Sequence, residues 1–291
     1  MSFMRSLGRL TSAVTLILLS FTARAEAAPA CVWKVTDQTG HTLYLGGSIH
    51  ALRSTDYPLP QAYNRAFEAS ARLAFEVDQK GLFSAHNDLV KSSQYSRGDS
   101  LKNHVDPRTY DYMRRLFGLL KVPEEKFARY RPWFIAMNVH RSGATGFSSQ
   151  LGVEGFLERR ARANSKPVSG LESSREHSQV FAGLTDRQSE TLLLLTLIPQ
   201  EKGSEEGSRL LDAWHRGDAD SIARMTHDSF KEFPSFGERI IDVRNRNWIP
   251  KIESYLRSNQ TYFVVGGAAH MGGPSGVLAL LRLQGYRVEQ L

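Results

Sequence analysis

The stretch from Thr261 to His270, TYFVVGGAAH, constrains this chain more than any other. Its aromatic and β-branched residues favour a strand. Two glycines then let the backbone turn where a Cβ would clash, and the next polar side chain, His270, arrives at the sheet's end, the edge where sheet proteins bind ligands. The same pattern occurs in HTLYLGGSIH, where Leu43-Tyr44-Leu45 run into Gly46-Gly47 and end on His50. A single histidine of this kind is ordinarily satisfied within the core. Two of them, 220 positions apart behind the same double glycine, point to one shared site. His50 and His270 are therefore expected at the same edge of one sheet, since nitrogens more than about 10 Å apart cannot share a metal.

The chain around this pair is long enough, at 291 residues with 41% hydrophobic content, to bury a large core. Arg5 and Arg9, the apolar run Ala13 to Phe21 and then Ala23-Arg24-Ala25 have the charged, greasy and small-residue zones of a secretory signal. Residues 1–25 are expected to be removed, leaving a mature domain of residues 26–291 in the periplasm or outside the cell. No apolar run reaches the roughly 18 residues of a membrane helix. The formal charge falls from +7 to +4 once Arg5, Arg9 and Arg24 leave. With acids and bases mixed throughout, no basic stripe with interleaved aromatics marks a nucleic-acid surface. Cys31 is the single cysteine and cannot form an internal disulfide. Lipid attachment there is disfavoured, because Ala28-Pro29-Ala30 lies well past the apolar run and lacks the large aliphatic residue expected.

In chain order, VWKVTDQ, a turn at Thr39-Gly40 and HTLYLGG read as a hairpin. QAYNRAFEASA then reads as a helix and RLAFEVD as a strand, in which Glu76 and Asp78 share one face. A carboxylate set among apolar residues, as Glu76 is, needs a partner. The end of the chain repeats this order. After His270 comes a helix in GGPSGVLALLRLQG, with Ser275 as its N-cap and Gly285 closing it, and then a strand, YRVEQL, containing Glu289. The chain is thus an α/β protein with a mixed sheet made from two β-α-β halves.

Between the halves, residues 81–240 read as a large, mainly helical insertion. GVEGFLERRARAN is a helix leading to the strand KPVSGLES, where Glu172 is either a third carboxylate of the site or an N-cap partner for the next helix. EKGSEEGS looks like an exposed turn. In the run Arg244, Asn245, Arg246, Asn247, Arg244 shares a helix face with Trp248, so an inward Arg244 would meet a carboxylate or a ligand, and Asn245 has the geometry to orient a neighbour. The other histidines, His41, His86, His104, His140, His177, His215 and His227, show no shared spacing and receive no role.

H-E-x-x-H, G-x-x-x-x-G-K-[ST], a strand-borne G-x-G-x-x-G and C-x-x-C are all absent. Ser48 in GGSIH lacks the closing glycine of a nucleophile elbow, its place being taken by His50. What remains is His50, Glu76 and His270, two imidazoles and a carboxylate, a set that suits Mn, Co, Zn or Fe.

These motifs resemble the TraB/GumN group, which belongs with the Tiki metalloproteases. The resemblance runs from WKVTDQTGHTLYLGGSIHAL through LAFEVD, PWFIAMN, GVEGFLERRA, KPVSGLES and VRNRNW to TYFVVGGAAHMGGPSGVLALLRLQGYRVEQL. It implies a mixed α/β fold related to erythromycin esterase and a haem-binding lipoprotein group. It further implies a metal-dependent site at His50, Glu76 and His270, supported by Glu172, Arg244 and Asn245. In SSREHSQVF the family more often has Gln in place of His177. The expected function is a metal-dependent hydrolase of peptides or small molecules, with Glu76 as base or ligand. The alternatives are a non-catalytic haem- or ligand-binding or regulatory protein, and a metal-free esterase using His50 as base.

Overall fold

Six strands build one sheet in the order β4-β3-β5-β2-β1-β6. They are β1 (Val32–Thr36), β2 (Thr42–Ser48), β3 (Arg72–Val77), β4 (Val168–Glu172), β5 (Tyr262–Gly267) and β6 (Arg287–Gln290). The computed structural model describes residues 29–77, 89–138, 147–197, 203–231 and 233–291. The expected leader, Asp78, His86 and His140 lie outside the described residues.

β1 and β2 form the expected hairpin, with Gly40 at φ +91° in its turn. β2 pairs parallel with β5, β5 with β3, and β3 with β4. β6 is antiparallel to β1, so it runs in the same direction as the rest. Every residue of the central strand β5 is buried, the pattern of a strand covered on both faces. Parallel strands point their C-terminal ends the same way, so β2, β5, β3 and β4 deliver Ser48, Gly267, Glu76 and Glu172 to one edge.

The two β-α-β halves are present, and they interlock. In the first, α1 (Gln61–Ala69) joins β2 to β3; in the second, α10 (Val277–Leu283) joins β5 to β6. β5 of the second half inserts between β2 and β3 of the first. The likeness of the halves stops there. β6 sits at the far edge of the sheet, where Glu289 pairs with Arg287 at 3.1 Å and is no counterpart of Glu76. Ser275 is not the cap of α10 either; Gly276 is, and the Ser275 hydroxyl donates to Asp242.

The insertion carries α2 (Pro107–Leu119), α3 (Pro132–Asn138), α4 (Val153–Ala163), α5 (Ser174–Ala182), α6 (Asp186–Leu197), α7 (Gly203–His215) and α8 (Ala219–Ser229). Leu101, Met113, Phe117, Phe127, Ile135 and Leu193 give it an apolar cluster separate from the one around the sheet. EKGSEEGS is not a turn throughout: α7 begins at Gly203. An acid such as Glu205 suits a first helical turn, and the helix is held by burying Leu211 and Trp214. After α8, a π-helical turn (Glu238–Asp242) runs into α9 (Val243–Leu256), which lies against β2, β4 and β5. Among the described residues no helix is long and apolar enough to cross a membrane.

Candidate functional site

The site is set by the register of β2 on β5. Gly47 pairs with Gly266 and Ser48 with Gly267, so the two G-x-x-H motifs meet one residue out of step. Side chains alternate along a strand, and Gly47 and Gly267 therefore face opposite sides of the sheet. Gly47 is a packing residue: a Cβ there would meet Ala268 and Cys31, and its carbonyl accepts hydrogen bonds from Tyr63 Oη (2.5 Å) and Trp214 Nε1 (2.8 Å). Gly267 lies among the chemistry. A Cβ on it would stand 3.2 Å from Glu76 Oε1, 3.5 Å from His270 Cδ2 and 3.8 Å from His50 Nε2. The two longer distances add to 7.3 Å, so His50 Nε2 and His270 Cδ2 are no farther apart than that.

His270 is buried in the turn after β5 and is held by α9. Asn245 gives its amide N–H to Ser275 O (2.9 Å), which leaves Asn245 Oδ1 as acceptor for His270 Nδ1–H at 2.6 Å. The tautomer follows: Nε2 carries the lone pair and turns it toward Arg244 Nη1 at 3.2 Å. Burial, together with the positive charge of Arg244, pulls the His270 pKa down to about 4 against the opposing pull of Glu76 and Glu172. The ring is neutral at physiological pH.

Glu76 accepts from Gly267 N–H (2.6 Å) and from Arg244 Nη2 (2.6 Å). Burial by itself would raise its pKa; His270, Arg244 and His50 outweigh that and hold it well below the usual carboxylate range. Arg244 also makes a two-pronged contact with Glu172, Nη2 to Oε1 at 2.7 Å and Nε to Oε2 at 3.2 Å. Glu172 receives Trp248 Nε1 at 3.1 Å and His177 Nδ1 at 2.7 Å as well. The capping box of α5 is formed by Ser173 and Glu176, while Glu172 is bonded to Arg244, Trp248 and His177. In the run 244–247, Arg244 and Asn245 point inward, and Arg246 and Asn247 are exposed. Glu76, Glu172 and Arg244 together carry a net charge of −1.

Glu154 is the residue that sequence reasoning missed. It stands in the first turn of α4, where an acid is ordinary, and accepts from Ser48 Oγ at 2.8 Å. Burial and the nearby negative charge of Glu76 raise its pKa, so the two carboxylates differ in character. The Val153 N–H bond to Ile49 O (3.1 Å) brings the start of this helix to the loop of His50. His50 itself is exposed and opens the site to solvent. On the β4 side, a cavity of about 550 Å³ reaches Glu172, Arg244 and Trp248.

In kind, the donors fit a divalent ion. His270 presents a lone pair fixed by Asn245, Glu76 is a held carboxylate, His50 stands nearby, and the missing Cβ of Gly267 keeps the space among them open. They are not drawn together into a closed set: among the described residues no three His, Cys, Asp or Glu side chains stand close enough to clasp an ion. Arg244 supplies the positive charge at Glu76 and His270 instead.

Fold and site together define a mixed α/β protein with imidazoles and carboxylates gathered at the C-terminal edge of its parallel strands. The TraB/PrgY/gumN family matches residues 31–290, and the chain belongs to that family. It is 24% identical to metalloprotease TIKI2 of Danio rerio over 84% of this chain and 58% of the relative. It is likewise 24% identical to metalloprotease TIKI1 of Homo sapiens, over 84% of this chain and 59% of the relative. The chain thus spans under three fifths of these relatives' length. No solved structure matches it.

Proposed function

We propose that this protein is a metal-dependent peptidase that acts in the periplasm or outside the cell. The observation that carries the reading is the convergence of His50, Glu76 and His270 around Gly267, with the His270 lone pair left on Nε2, where it now accepts from Arg244 Nη1. The relationship to proteins named metalloproteases supports it. His50, His270 and Glu76 would hold the ion, one of Mn, Co, Zn or Fe. When bound, such an ion polarises a carbonyl and acidifies water.

The chain's own groups have separate tasks. Asn245 keeps the proton of His270 on Nδ1. Glu76, pinned by Gly267 and Arg244, stays ionised and is better suited to holding a cation than to taking up a proton. Glu154, whose pKa lies on the raised side, is better suited to proton transfer. Export is supported by the leader-like residues 1–25, with mature protein beginning near Glu26. The burial of Cys31, just before β1, supports a chain without lipid at that position.

The test is metal content and peptide cleavage measured on the same preparations of wild type, His50→Ala, His270→Ala and Glu76→Gln, with a chelator control. Loss of metal from both histidine variants is expected, and Glu76→Gln should lose metal too if it is a ligand. Full cleavage by chelator-stripped wild type would overturn the reading. A wild type that binds metal or haem and cleaves nothing would favour the binding-protein alternative.

A further inference from the structure

Glu172 ends β4, and Ser173 caps α5 immediately after it through a reciprocal pair with Glu176. A helix begun at residue 174 carries residue 177 one turn along and back over the strand end. His177 Nδ1 accordingly meets Glu172 Oε1 at 2.7 Å, while Phe181 stands edge-on to the imidazole at 5.6 Å. A carboxylate only accepts, so Nδ1 carries the hydrogen.

With that bond each oxygen of Glu172 has two donors: His177 and Arg244 Nη2 on Oε1, Trp248 Nε1 and Arg244 Nε on Oε2. Arg244 spends its remaining N–H groups on Glu76, His270 Nε2 and Ile240 O. The guanidinium plane is thus fixed by Glu172, and Glu172 is fixed in part by His177, the outermost and half-buried member of the series.

We propose that His177 is a positioning residue for the site: its Nδ1–H holds Glu172 so that Arg244 is aimed at Glu76 and His270. The proposal rests on the reading of Glu76 and His270 as functional, and its test is chosen to stand apart from that reading. What the position requires is one N–H donor reaching Glu172, which a glutamine amide supplies and a methionine of similar reach does not.

The experiment compares wild type with His177→Gln and His177→Met, first in metal-free protein at neutral pH by NMR. The readouts are the Arg244 Nε–H hydrogen-exchange rate and the Trp248 indole N–H shift, both of which report directly on Glu172. Exchange at Arg244 should speed up by about 10-fold or more in His177→Met and stay near wild type in His177→Gln, and Mn²⁺ affinity should follow the same order with a loss of about 10-fold. Wild-type exchange in His177→Met, or equal loosening in both variants, overturns the proposal. If wild type binds none of Mn²⁺, Co²⁺, Zn²⁺ and Fe²⁺, the metal reading fails, and the NMR comparison still decides the role of His177.

Discussion

Arg244→Met is the sharpest perturbation this site offers, because one side chain pairs with two buried carboxylates. Glu76 and Glu172 are 7% and 8% exposed, and both meet Arg244 Nη2, at 2.6 and 2.7 Å. Removing one partner from a buried ion pair costs about 3–5 kcal/mol, mostly as the penalty on the charge left behind. The unfolding free energy of Arg244→Met, measured by urea titration, should fall by that amount. A double-mutant cycle with Glu172→Gln should return a coupling of about 1–3 kcal/mol, since the second substitution removes a charge that the first had stranded. The pH dependence should weaken as well. In wild type Glu76 and Glu172 titrate below their unfolded pKa, so the unfolded state binds more protons and stability is lost as pH falls through the folded values. Without Arg244 the folded values should rise toward the unfolded ones, so the variant should lose less stability than wild type on acidification through the ordinary glutamate range, about pH 4.3. A cost under about 1 kcal/mol with an additive cycle would refute the account of Arg244 as the site's internal cation.

Gly267→Ala is tolerated by the backbone, at φ −52°, but fills the space among Glu76, His270 and His50; it should fold normally and lose most metal affinity in a titration with Mn²⁺. His270 titrates at about 4 when folded and near 6.5 when unfolded, so wild type should lose stability as pH falls between those values, and His270→Asn should flatten that slope in pH-dependent melts. His104 places both ring nitrogens on carboxylates, Asp99 at 2.7 Å and Asp186 at 2.8 Å, which requires the imidazolium form. Its folded pKa is raised, so this clamp contributes below about 6.5 and is lost as pH rises through the folded value; His104→Gln should remove that dependence. Glu154→Gln should keep metal and fold while lowering the rate of peptide cleavage, and unchanged turnover would exclude it from proton transfer.

Much of the site was legible because its signals are local. The double glycines fixed two strand ends, and Glu76 in an apolar strand demanded a partner, which is Arg244. The spacing of Arg244 and Trp248 put both on one helix face, where the guanidinium stacks 4.8 Å from the indole. What the sequence hid depends on register and on long-range pairing. Two identical motifs imply equivalent glycines, yet a one-residue offset between β2 and β5 sends Gly47 into packing and puts Ser48 opposite Gly267. Nothing in GGSIH or GVEG signals that Ser48 and Glu154, 106 positions apart, are bonded. EKGSEEGS was misleading for a related reason: glycine and serine speak for a turn, and the burial of Leu211 and Trp214 farther along the same helix overrides them.

The offset also explains why one edge of the sheet holds two glutamates of opposite temper. Had the motifs met in step, a glycine of β2 would lie beside Gly267, and no hydroxyl would reach toward α4. Because Ser48 takes that place, its side chain engages Glu154 as its one donor among the described residues, whereas Glu76 across the strand has a backbone N–H and a guanidinium. The charges around them separate the two acids: His270, Arg244 and His50 keep Glu76 charged, and Glu154 is raised by burial and by its neighbour's charge. Such a pair, pushed apart by environment, is how a site assigns cation holding to one carboxylate and proton traffic to the other. On the proposed reading, a register shift of one residue between two parallel strands would make that assignment here.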